Sequence, residues 1–304
     1  MTPPLSLGID LGGTKIHAVV LGPDGATLWE QRIATPRDDY AATLRALADL
    51  VRAGDAATGH RGLTVGLGGP GSLTPDGLLK NSNSTWMNGQ PIERDLAAAL
   101  GRPVRFANDA NCLALSEATD GAGANHRVVF AVILGTGNGA GIAVDGRVLT
   151  GPNGLAGEFG HVPLPWADAT DPQFACYCGQ QGCNETLLSG TGIARDHQHL
   201  TGQQITTGEI AQRASAGDAA CMATLERHAV RLAKALAGVI NLLDPDVIVL
   251  GGGVSLMPHL YQRVPALWSR WVFSGGLKDE VRTQLKPSVH GDASGVRGAA
   301  WLWK

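Results

Sequence analysis

Short runs of apolar residues separated by glycine-rich turns recur at two places along the chain. Near the start, LSLGID (5–10), IHAVVLG (16–22) and ATLWEQRI (26–33) are separated by LGGTK and PDG. This order predicts a strand, a glycine turn, a strand, a tight turn and a strand. The segments VVFAVIL (128–134), GTGNGAG (135–141) and IAVDGRVL (142–149) repeat it. The repetition predicts two related halves, each opening with a hairpin whose turn is rich in glycine.

The remaining pattern alternates between helices and short buried strands. Apolar residues at helical spacing predict helices over 38–53, 110–121, 218–243 and 294–303. Apolar runs of strand length lie at 63–69, 102–109 and 247–250. We place the boundary between the halves near residue 118, which gives domains 1–118 and 119–291, with the C-terminal helix 292–304 crossing back to the first. Because no low-complexity linker separates the halves, we expect them to pack tightly and to enclose a cleft.

Composition and charge narrow the class of protein. The chain has 304 residues, of which 42 are glycine and 44% are hydrophobic. The glycine has no three-residue period, which excludes collagen, and the hydrophobic content argues against disorder. A net charge of −3 gives no electrostatic footprint for nucleic acid. With no signal peptide and no apolar run of roughly 18 residues, the sequence predicts a cytoplasmic globular protein without membrane or nucleic-acid partners.

Two glycine-rich turns that face each other would clamp a phosphate chain, because glycine lets backbone N–H groups approach phosphate oxygens. Asp10 lies beside the first turn, and a carboxylate next to phosphates needs an intervening cation. Asp10 is therefore a candidate Mg²⁺ ligand, acting through water. The alternative is a pair of ordinary hairpins with glycine bulges. The candidate phosphate-binding residues of the two turns are Gly12, Gly13, Thr14, Lys15, Gly135, Thr136 and Gly137.

Other nucleotide-binding motifs do not fit the sequence. No G-x-x-x-x-G-K-[ST] pattern occurs, which excludes a P-loop. Residues 66–71 and 135–140 match the dinucleotide pattern G-x-G-x-x-G/A, but that fold requires a helix directly after the glycines. The first is followed by SLTPDG and the second by the strand IAVDGRV. We therefore exclude a dehydrogenase.

A carboxylate closes one strand and opens a helix at Asn108-Asp109. Asn and Asp are favoured as helix caps, so one interpretation is local and structural. The functional interpretation is that Asp109 is a general base, which phosphoryl transfer to a hydroxyl needs for orienting and deprotonating the nucleophile. Spacing alone leaves both interpretations open.

Three cysteines within eight residues follow a histidine that lies fifteen residues before the first of them. Three thiolates and one imidazole close a tetrahedral zinc site without an open position, which predicts a structural metal. Unligated thiols in a loop are the alternative. Cys112 and Cys221 lie in helical segments and are interpreted as buried small hydrophobes. The candidate ligands are His161, Cys176, Cys178 and Cys183.

Two glutamates flank this cluster. Glu158 lies three residues before the histidine, and Glu185 lies two residues after the last cysteine. A metal would fix both carboxylates in space, where they would suit sugar hydroxyls, which are donors. The alternative is a pair of solvated surface glutamates.

These motifs resemble the ROK family of sugar kinases and repressors, within the actin-like ATPase superfamily. The resemblance covers nearly the whole chain, and it implies an α/β fold of duplicated, ribonuclease H-like domains with a central cleft. The loop 81–91 and the segment 161–166 are similar to bacterial fructokinases, also called manno(fructo)kinases. Gly69 and Phe159 depart from the family pattern. The motifs that carry the resemblance are GIDLGGTK (8–15), GGPG (68–71), NDAN (108–111), LGTG (134–137), GEFGH (157–161), CYCGQQGC (176–183), DPDVIVLGGG (244–253) and HGDASGVRGAA (290–300).

The resemblance implies a role for each matching position. Asp109 matches the catalytic base, Gly251 and Gly252 match the adenosine-binding turn, and His161 matches both a zinc ligand and a sugar contact. It also implies ATP, Mg²⁺ and structural zinc as cofactors, and a homodimer. The positions that match sugar-binding residues are Gly71, Asn83, Asn108, Asp109, Glu158, His161 and Glu185.

The sequence therefore predicts an ATP-dependent hexose kinase, a fructokinase in which Asp109 takes the proton from the 6-hydroxyl of D-fructose, with mannose as a further substrate. A glucose, mannose or N-acetylhexosamine kinase of the same family is the alternative, although loop 81–91 argues against an N-acetylhexosamine. A sugar-sensing repressor is a remote alternative, since the first strand begins by about residue 5 and leaves no room for a helix-turn-helix.

Overall fold

The computed structural model describes residues 5–274 and 279–304; residues 1–4, part of the stretch from which a signal peptide was excluded, lie outside the described residues. Strands lie at each predicted position and short ones are added, but the second strand of the repeated hairpin begins at Asn138, inside the turn predicted over 135–141. They are β1 Ser6–Leu11, β2 Lys15–Leu21, β3 Thr27–Ala34, β4 Thr64–Gly69, β5 Ser72–Leu73, β6 Leu79–Lys80, β7 Val104–Asn108, β8 Val128–Leu134, β9 Asn138–Val144, β10 Arg147–Val148, β11 Val247–Gly251 and β12 Gln284–Pro287.

The four predicted helices are present as α1, α3, α7 and α9, and the structure adds five more in the described residues. Within those residues, no helix is both long enough and apolar enough to cross a membrane. The helices are α1 Tyr40–Thr58, α2 Ile92–Leu100, α3 Asp109–Asp120, α4 Asn184–Leu188, α5 Gly190–Thr201, α6 Thr207–Ser215, α7 Ala219–Leu243, α8 Leu260–Leu267 and α9 Ser294–Trp301.

Contacts divide the described chain into two compact units. The first comprises the described residues up to Asn125, with Gly141–Ala156 and Val289–Lys304. The second comprises His126–Ala140 and the described part of Gly157–Ser288. The domain boundary near residue 118 stays a prediction.

The first sheet has the strand order β3-β2-β1-β4-β7. β1 pairs antiparallel with β2 and parallel with β4, and β4 pairs parallel with β7. One face of the central strands is apolar, and its Leu7, Ile9, Val65 and Leu67 are fully buried. α1, which begins at the Asp39 cap and ends at Gly59 in the left-handed region, packs its apolar face against this sheet. This sheet carries β1 and β7, the strands that end at the predicted catalytic residues.

The second sheet has the order β10-β9-β8-β11-β12. When the strands are counted along the chain within each five-stranded sheet, both sheets have the order third, second, first, fourth, fifth. β8 pairs parallel with β11, and β11 pairs parallel with β12. Val247–Gly251 is buried along its whole length. The α/β fold with a duplicated motif, predicted from the repeated hairpins, is confirmed.

The C-terminal helix α9 lies against β1, β4 and α3 at backbone contact distance. A Cβ built on Gly66 would lie 1.8 Å from the Ala299 carbonyl oxygen, and one on Gly8 would lie 2.1 Å from the Val296 carbonyl oxygen. On α9 itself, a Cβ on Gly298 would lie 1.8 Å from the Cys112 carbonyl oxygen. Glycine is therefore required at these positions for the helix to sit this close.

We predict that Gly66→Ala destabilises the protein by at least about 2 kcal/mol, because the new methyl group must push α9 off β4. Urea unfolding measures the loss. Gly208→Ala in the first turn of α6 is the matched control, since nothing lies within 4 Å of its Cβ position and alanine is the better helix former. Equal stability of the Gly66→Ala variant and the wild type would contradict the close packing.

Candidate active site and metal cluster

The turn between β1 and β2 is tied down by backbone hydrogen bonds. The Gly12 N–H donates to the Lys15 carbonyl oxygen at 3.0 Å, and the Thr35 hydroxyl donates to the Gly12 carbonyl oxygen at 2.7 Å. The Thr35 N–H donates to the Thr14 carbonyl oxygen at 3.0 Å. A Cβ on Gly12 would lie 2.9 Å from the Lys15 carbonyl oxygen, so this form of the turn requires glycine. The side chains of Thr14 and Lys15 remain exposed.

Asn108 and Asp109 join β7 to α3, and the structure separates their roles. The Asn108 side chain caps α3, because its Oδ1 accepts from the Ala110 N–H at 2.9 Å. Its Nδ2 donates to the Gly71 carbonyl oxygen at 3.1 Å, which ties the cap to a glycine at φ +92°. Asp109 Oδ1 also accepts from the Ala110 N–H, at 2.8 Å. Asn108 is the helix cap, and Asp109 is held on the first turn of α3.

Asp10 and Asp109 lie within electrostatic reach of each other. Burial, followed by the charge of Asp109, raises the pKa of Asp10 from its usual 3.8 to about 6, and Lys15 only partly opposes this. α9 crowds the same carboxylate, since a Cβ on Gly295 would lie 3.3 Å from Asp10 Oδ2. Two neighbouring carboxylates of which one is costly to ionise form a site that a cation would stabilise. This environment fits the predicted role of Asp10 as an Mg²⁺ ligand.

The predicted sugar loop 81–91 is ordered by its own polar groups. Asn88 Oδ1 accepts from the Ser82 N–H, and Asn88 Nδ2 donates to the Ser82 carbonyl oxygen, both at 2.9 Å. Ser82 and Ser84 are buried, and Asn83 between them is exposed. The loop therefore presents the amide of Asn83 to solvent or to a ligand.

In the second unit, the glycine turn after β8 is held by the start of α5. The Gly190 N–H donates to the Gly135 carbonyl oxygen at 2.7 Å, and the Thr191 hydroxyl donates to the Thr136 carbonyl oxygen at 2.8 Å. The Gly135 N–H donates to the Gly137 carbonyl oxygen at 3.0 Å. This support could not be predicted from the sequence, because residues 190–191 carry no motif of their own.

The second turn also meets the predicted adenosine turn and one predicted sugar residue. A Cβ on Gly252 would lie 2.6 Å from the Leu134 carbonyl oxygen and 3.1 Å from the Gly135 nitrogen. Glu185 Oε2 accepts from the Asn138 N–H at 3.3 Å. Glu158 is exposed, just before the short helical turn Phe159–His161. The structure thus brings Gly135–Gly137, Gly251–Gly252 and Glu185 together.

The predicted metal ligands form one cluster, whose ligand atoms all lie within 4.8 Å of one another. Cys178 Sγ and Cys183 Sγ are 3.7 Å apart, and Cys176 Sγ lies 3.6 Å from His161 Nδ1. Tetrahedral zinc, with Zn–S bonds of about 2.3 Å and Zn–N bonds of about 2.1 Å, has ligand–ligand edges of about 3.8 Å and about 3.6 Å. Donor set and spacing therefore fit such an ion. Cys112 and Cys221 lie apart from the cluster and are buried, as predicted.

A buried ion network anchors the loop that leads into this cluster. Asp171 pairs with Arg231 at 2.8 Å and with Lys234 at 2.7 Å, both from α7. Arg231 also pairs with Asp196 of α5 at 2.9 Å. Arg231, Asp171 and Asp196 are each at most 6% exposed. Removing one member of such a buried set is costly because it leaves an uncompensated charge, so the network fixes where the loop begins.

The second ring nitrogen of His161 faces a tyrosine. His161 Nε2 lies 2.9 Å from the Tyr177 hydroxyl oxygen, and the two rings are nearly perpendicular with centroids 5.0 Å apart. Tyr177 is 81% exposed. Together with Glu185 and the start of α5, it lines a cavity of about 330 Å³. Tyr177 belongs to none of the predicted site residues, although it lies between the predicted ligands Cys176 and Cys178.

Known proteins resemble this chain over nearly its whole length. The sequence pattern of the ROK family matches residues 6–304. The chain is 41% identical over 303 residues to the N-acetyl-D-glucosamine kinase of Pectobacterium atrosepticum, covering 97% of each chain. It is similar to the crystal structure of the ROK hexokinase from Thermus thermophilus, with a TM-score of 0.86, 32% identity and coverage of 98% and 97%. A ROK family glucokinase from Streptomyces griseus, solved with glucose and AMPPNP, matches with a TM-score of 0.75, 28% identity and coverage of 97% and 98%.

The raised pKa of Asp10 predicts a pH-dependent cost in the unliganded protein. Because the folded-state pKa exceeds the unfolded one, stability falls as pH rises from about 4 through about 6, and the full cost is present above that. Asp10→Asn should therefore raise stability at pH 7.5, by on the order of 2 kcal/mol, and change little at pH 4. Urea unfolding at both pH values tests this.

Asp76→Asn is the matched control for this substitution, because Asp76 is exposed on a turn. Its stability should follow that of the wild type at both pH values. An Asp10→Asn variant that is equally or less stable than the wild type at pH 7.5 would contradict the electrostatic cost at Asp10.

Proposed function

The chain belongs to the ROK family, with its actin-like ATPase fold, and is a sugar kinase; from that premise we propose that its substrate is N-acetyl-D-glucosamine and its phosphate donor ATP. The main support for this substrate is the 41% identity to an N-acetyl-D-glucosamine kinase over 97% of both chains. The fructose preference predicted from loop 81–91 has no such support. A short likeness in one loop carries less weight than identity along the whole chain.

Asp109 is the proposed general base. Its place on the first turn of α3 is fixed by the Asn108 cap, which leaves the carboxylate on a rigid helix end. It accepts the proton of the sugar's 6-hydroxyl as that oxygen forms a bond to the γ-phosphorus. The bond from this phosphorus to the bridging oxygen breaks, and ADP leaves. Positioning of the hydroxyl and stabilisation of phosphate charge supply the remaining acceleration.

The two glycine turns are the proposed phosphate contacts. In the first turn, a Cβ on Gly12 would lie 2.9 Å from the Lys15 carbonyl oxygen, so this form of the turn requires glycine. The proposed adenosine turn has the same requirement at Gly252, where a Cβ would lie 2.6 Å from the Leu134 carbonyl oxygen. The exposed Lys15 and Thr14 add a charge and a hydroxyl donor. Asp10 would hold Mg²⁺, and the ion would supply neutralising charge to the phosphates. The raised pKa of Asp10 supports this role, because a bound cation would favour the ionised carboxylate.

The proposed sugar contacts remain those predicted from the sequence. Carboxylates accept hydrogen bonds from hydroxyl groups, which suits the exposed Glu158 and the half-buried Glu185. The amides of Asn83 and Asn108 can both donate and accept. His161 contributes Nε2, because Nδ1 faces the cysteine cluster. Gly71 takes part through its backbone, which holds the Asn108 amide.

We propose that the cluster of His161, Cys176, Cys178 and Cys183 binds a structural zinc ion. Four protein ligands leave no open position for chemistry, so the ion would serve to fix the loop. The ion would also hold the His161 ring in one orientation. The match of the sulfur–sulfur and sulfur–nitrogen distances to tetrahedral edges supports this assignment.

The zinc assignment predicts one equivalent of zinc in the purified protein, measured by elemental analysis. Cys178→Ser, which changes an exposed ligand, should lose most of this zinc and lower the melting temperature. Cys221→Ala is the control, because this buried cysteine lies outside the cluster, and its zinc content should equal that of the wild type. Wild-type protein that lacks zinc while its cysteines are reduced would contradict the assignment.

A panel of N-acetyl-D-glucosamine, glucose, mannose and fructose at fixed ATP tests the proposed substrate. We expect kcat/KM, measured by ADP release, to be highest for N-acetyl-D-glucosamine, by at least about tenfold, since one well-placed group is worth about 1–3 kcal/mol of discrimination. Asp109→Asn should lower kcat by about 10²- to 10⁴-fold with every sugar of the panel.

Two results of this panel would count against the proposal. Higher kcat/KM with fructose would restore the substrate predicted from loop 81–91. Near wild-type turnover by a folded Asp109→Asn protein would remove Asp109 from its role as base.

A further inference from the structure

His161 presents two nitrogens to two different environments. Nδ1 lies 3.6 Å from Cys176 Sγ inside the metal cluster, and Nε2 lies 2.9 Å from the Tyr177 hydroxyl oxygen. With a metal on Nδ1, the ring proton resides on Nε2, which becomes a hydrogen-bond donor. Nε2 is then the ring atom through which His161 can contact a sugar. The tyrosine hydroxyl occupies that position.

The hold of Tyr177 on this position is weak. The Tyr177 residue is 81% exposed, so its movement would break few buried apolar contacts. A single exposed hydrogen bond contributes about 0.5–1.5 kcal/mol net. Tyr177 also lines the cavity of about 330 Å³ that Glu185 lines, so the ring lies beside a predicted sugar contact.

The phenol hydroxyl is chemically similar to the sugar oxygen that would replace it. It is a neutral oxygen that can accept from the imidazole N–H, as can a sugar hydroxyl or the carbonyl of an acetamido group. We propose that Tyr177 is a positioning residue that holds His161 Nε2 in the empty site and is displaced by an oxygen of the sugar. This inference rests on the proposed function, because it takes His161 as a sugar contact.

Tyr177→Phe tests the displacement, since it removes the hydroxyl and keeps the ring. The variant should bind sugar more tightly, with KM lowered about two- to tenfold, while kcat, KM for ATP and zinc content stay unchanged. Sugar binding without ATP, measured by calorimetry, should tighten by the same factor. Tyr40→Phe is the matched control, because it also removes one tyrosine hydrogen bond, of 2.9 Å to Asp95, in the first unit. Its sugar KM should equal that of the wild type.

A spectroscopic readout separates this inference from the choice of substrate. In protein with ¹⁵N-labelled histidine, the Nε2–H signal of His161, assigned by its loss in His161→Gln, should differ between unliganded wild type and Tyr177→Phe. The two signals should coincide once both proteins are saturated with whichever hexose the wild type phosphorylates. A different preferred hexose would overturn the proposed substrate and leave this test intact.

Three results would overturn the inference. Identical signals in the unliganded proteins would mean that the tyrosine does not hold His161. Different signals in the saturated proteins would mean that it stays on His161 when sugar is bound. A sugar KM that is unchanged or raised by Tyr177→Phe would mean that the hydroxyl does not compete with the sugar.

Discussion

Direct contact between backbones at α9 is the constraint on which the first unit depends. Glycines at 8, 66 and 298 let the helix lie against β1, β4 and α3 where a methyl group would overlap a carbonyl oxygen by more than an ångström. α9 and α3 are thereby held at the carboxyl ends of β1 and β7. Those strand ends carry Asp10 and Asn108. The position of the predicted catalytic groups thus follows from residues that have no side chain.

The same packing holds two carboxylates at an electrostatic cost. α9 crowds Asp10 through Gly295, and α3 places Asp109 close enough to raise the pKa of Asp10. Because the pKa of Asp10 is raised, ionisation of this carboxylate lowers the stability of the unliganded fold near neutral pH. A cation bound beside Asp10, at the turn between β1 and β2, would make ionisation of Asp10 favourable instead. The burial of Asp10 beside Asp109 would then explain both the loss of stability in the unliganded protein and the proposed affinity for a magnesium–nucleotide complex.

Sequence patterns predicted the parts of the fold that are encoded locally. The repeated hairpins, the long helix α7 and the Cys-x-Cys-x₄-Cys cluster all follow from periodicity or spacing, and the structure contains them. Contacts between distant segments could not be predicted in this way. The glycines at 8, 66 and 298 have no local signature that distinguishes them from turn glycines, and the pairing of Asp171 with Arg231 spans 60 residues. The sugar identity depends on pocket shape, which a short loop motif does not encode.

The loop from Asp171 to Cys183, which carries the three cysteines of the proposed zinc site, shows why such distant contacts matter for the proposed chemistry. At its start, the buried charges of Asp171, Arg231 and Asp196 pin the chain to α5 and α7. At its end, Cys183 is fully buried and leads directly into α4, which carries Glu185. A metal would therefore tie together a loop whose two ends are already fixed. By holding Nδ1, it would also fix the orientation of the His161 ring, so that Nε2 faces Tyr177 or, as proposed, the sugar oxygen that displaces the tyrosine. If the proposed assignments hold, the metal would contribute to sugar recognition as well as to folding.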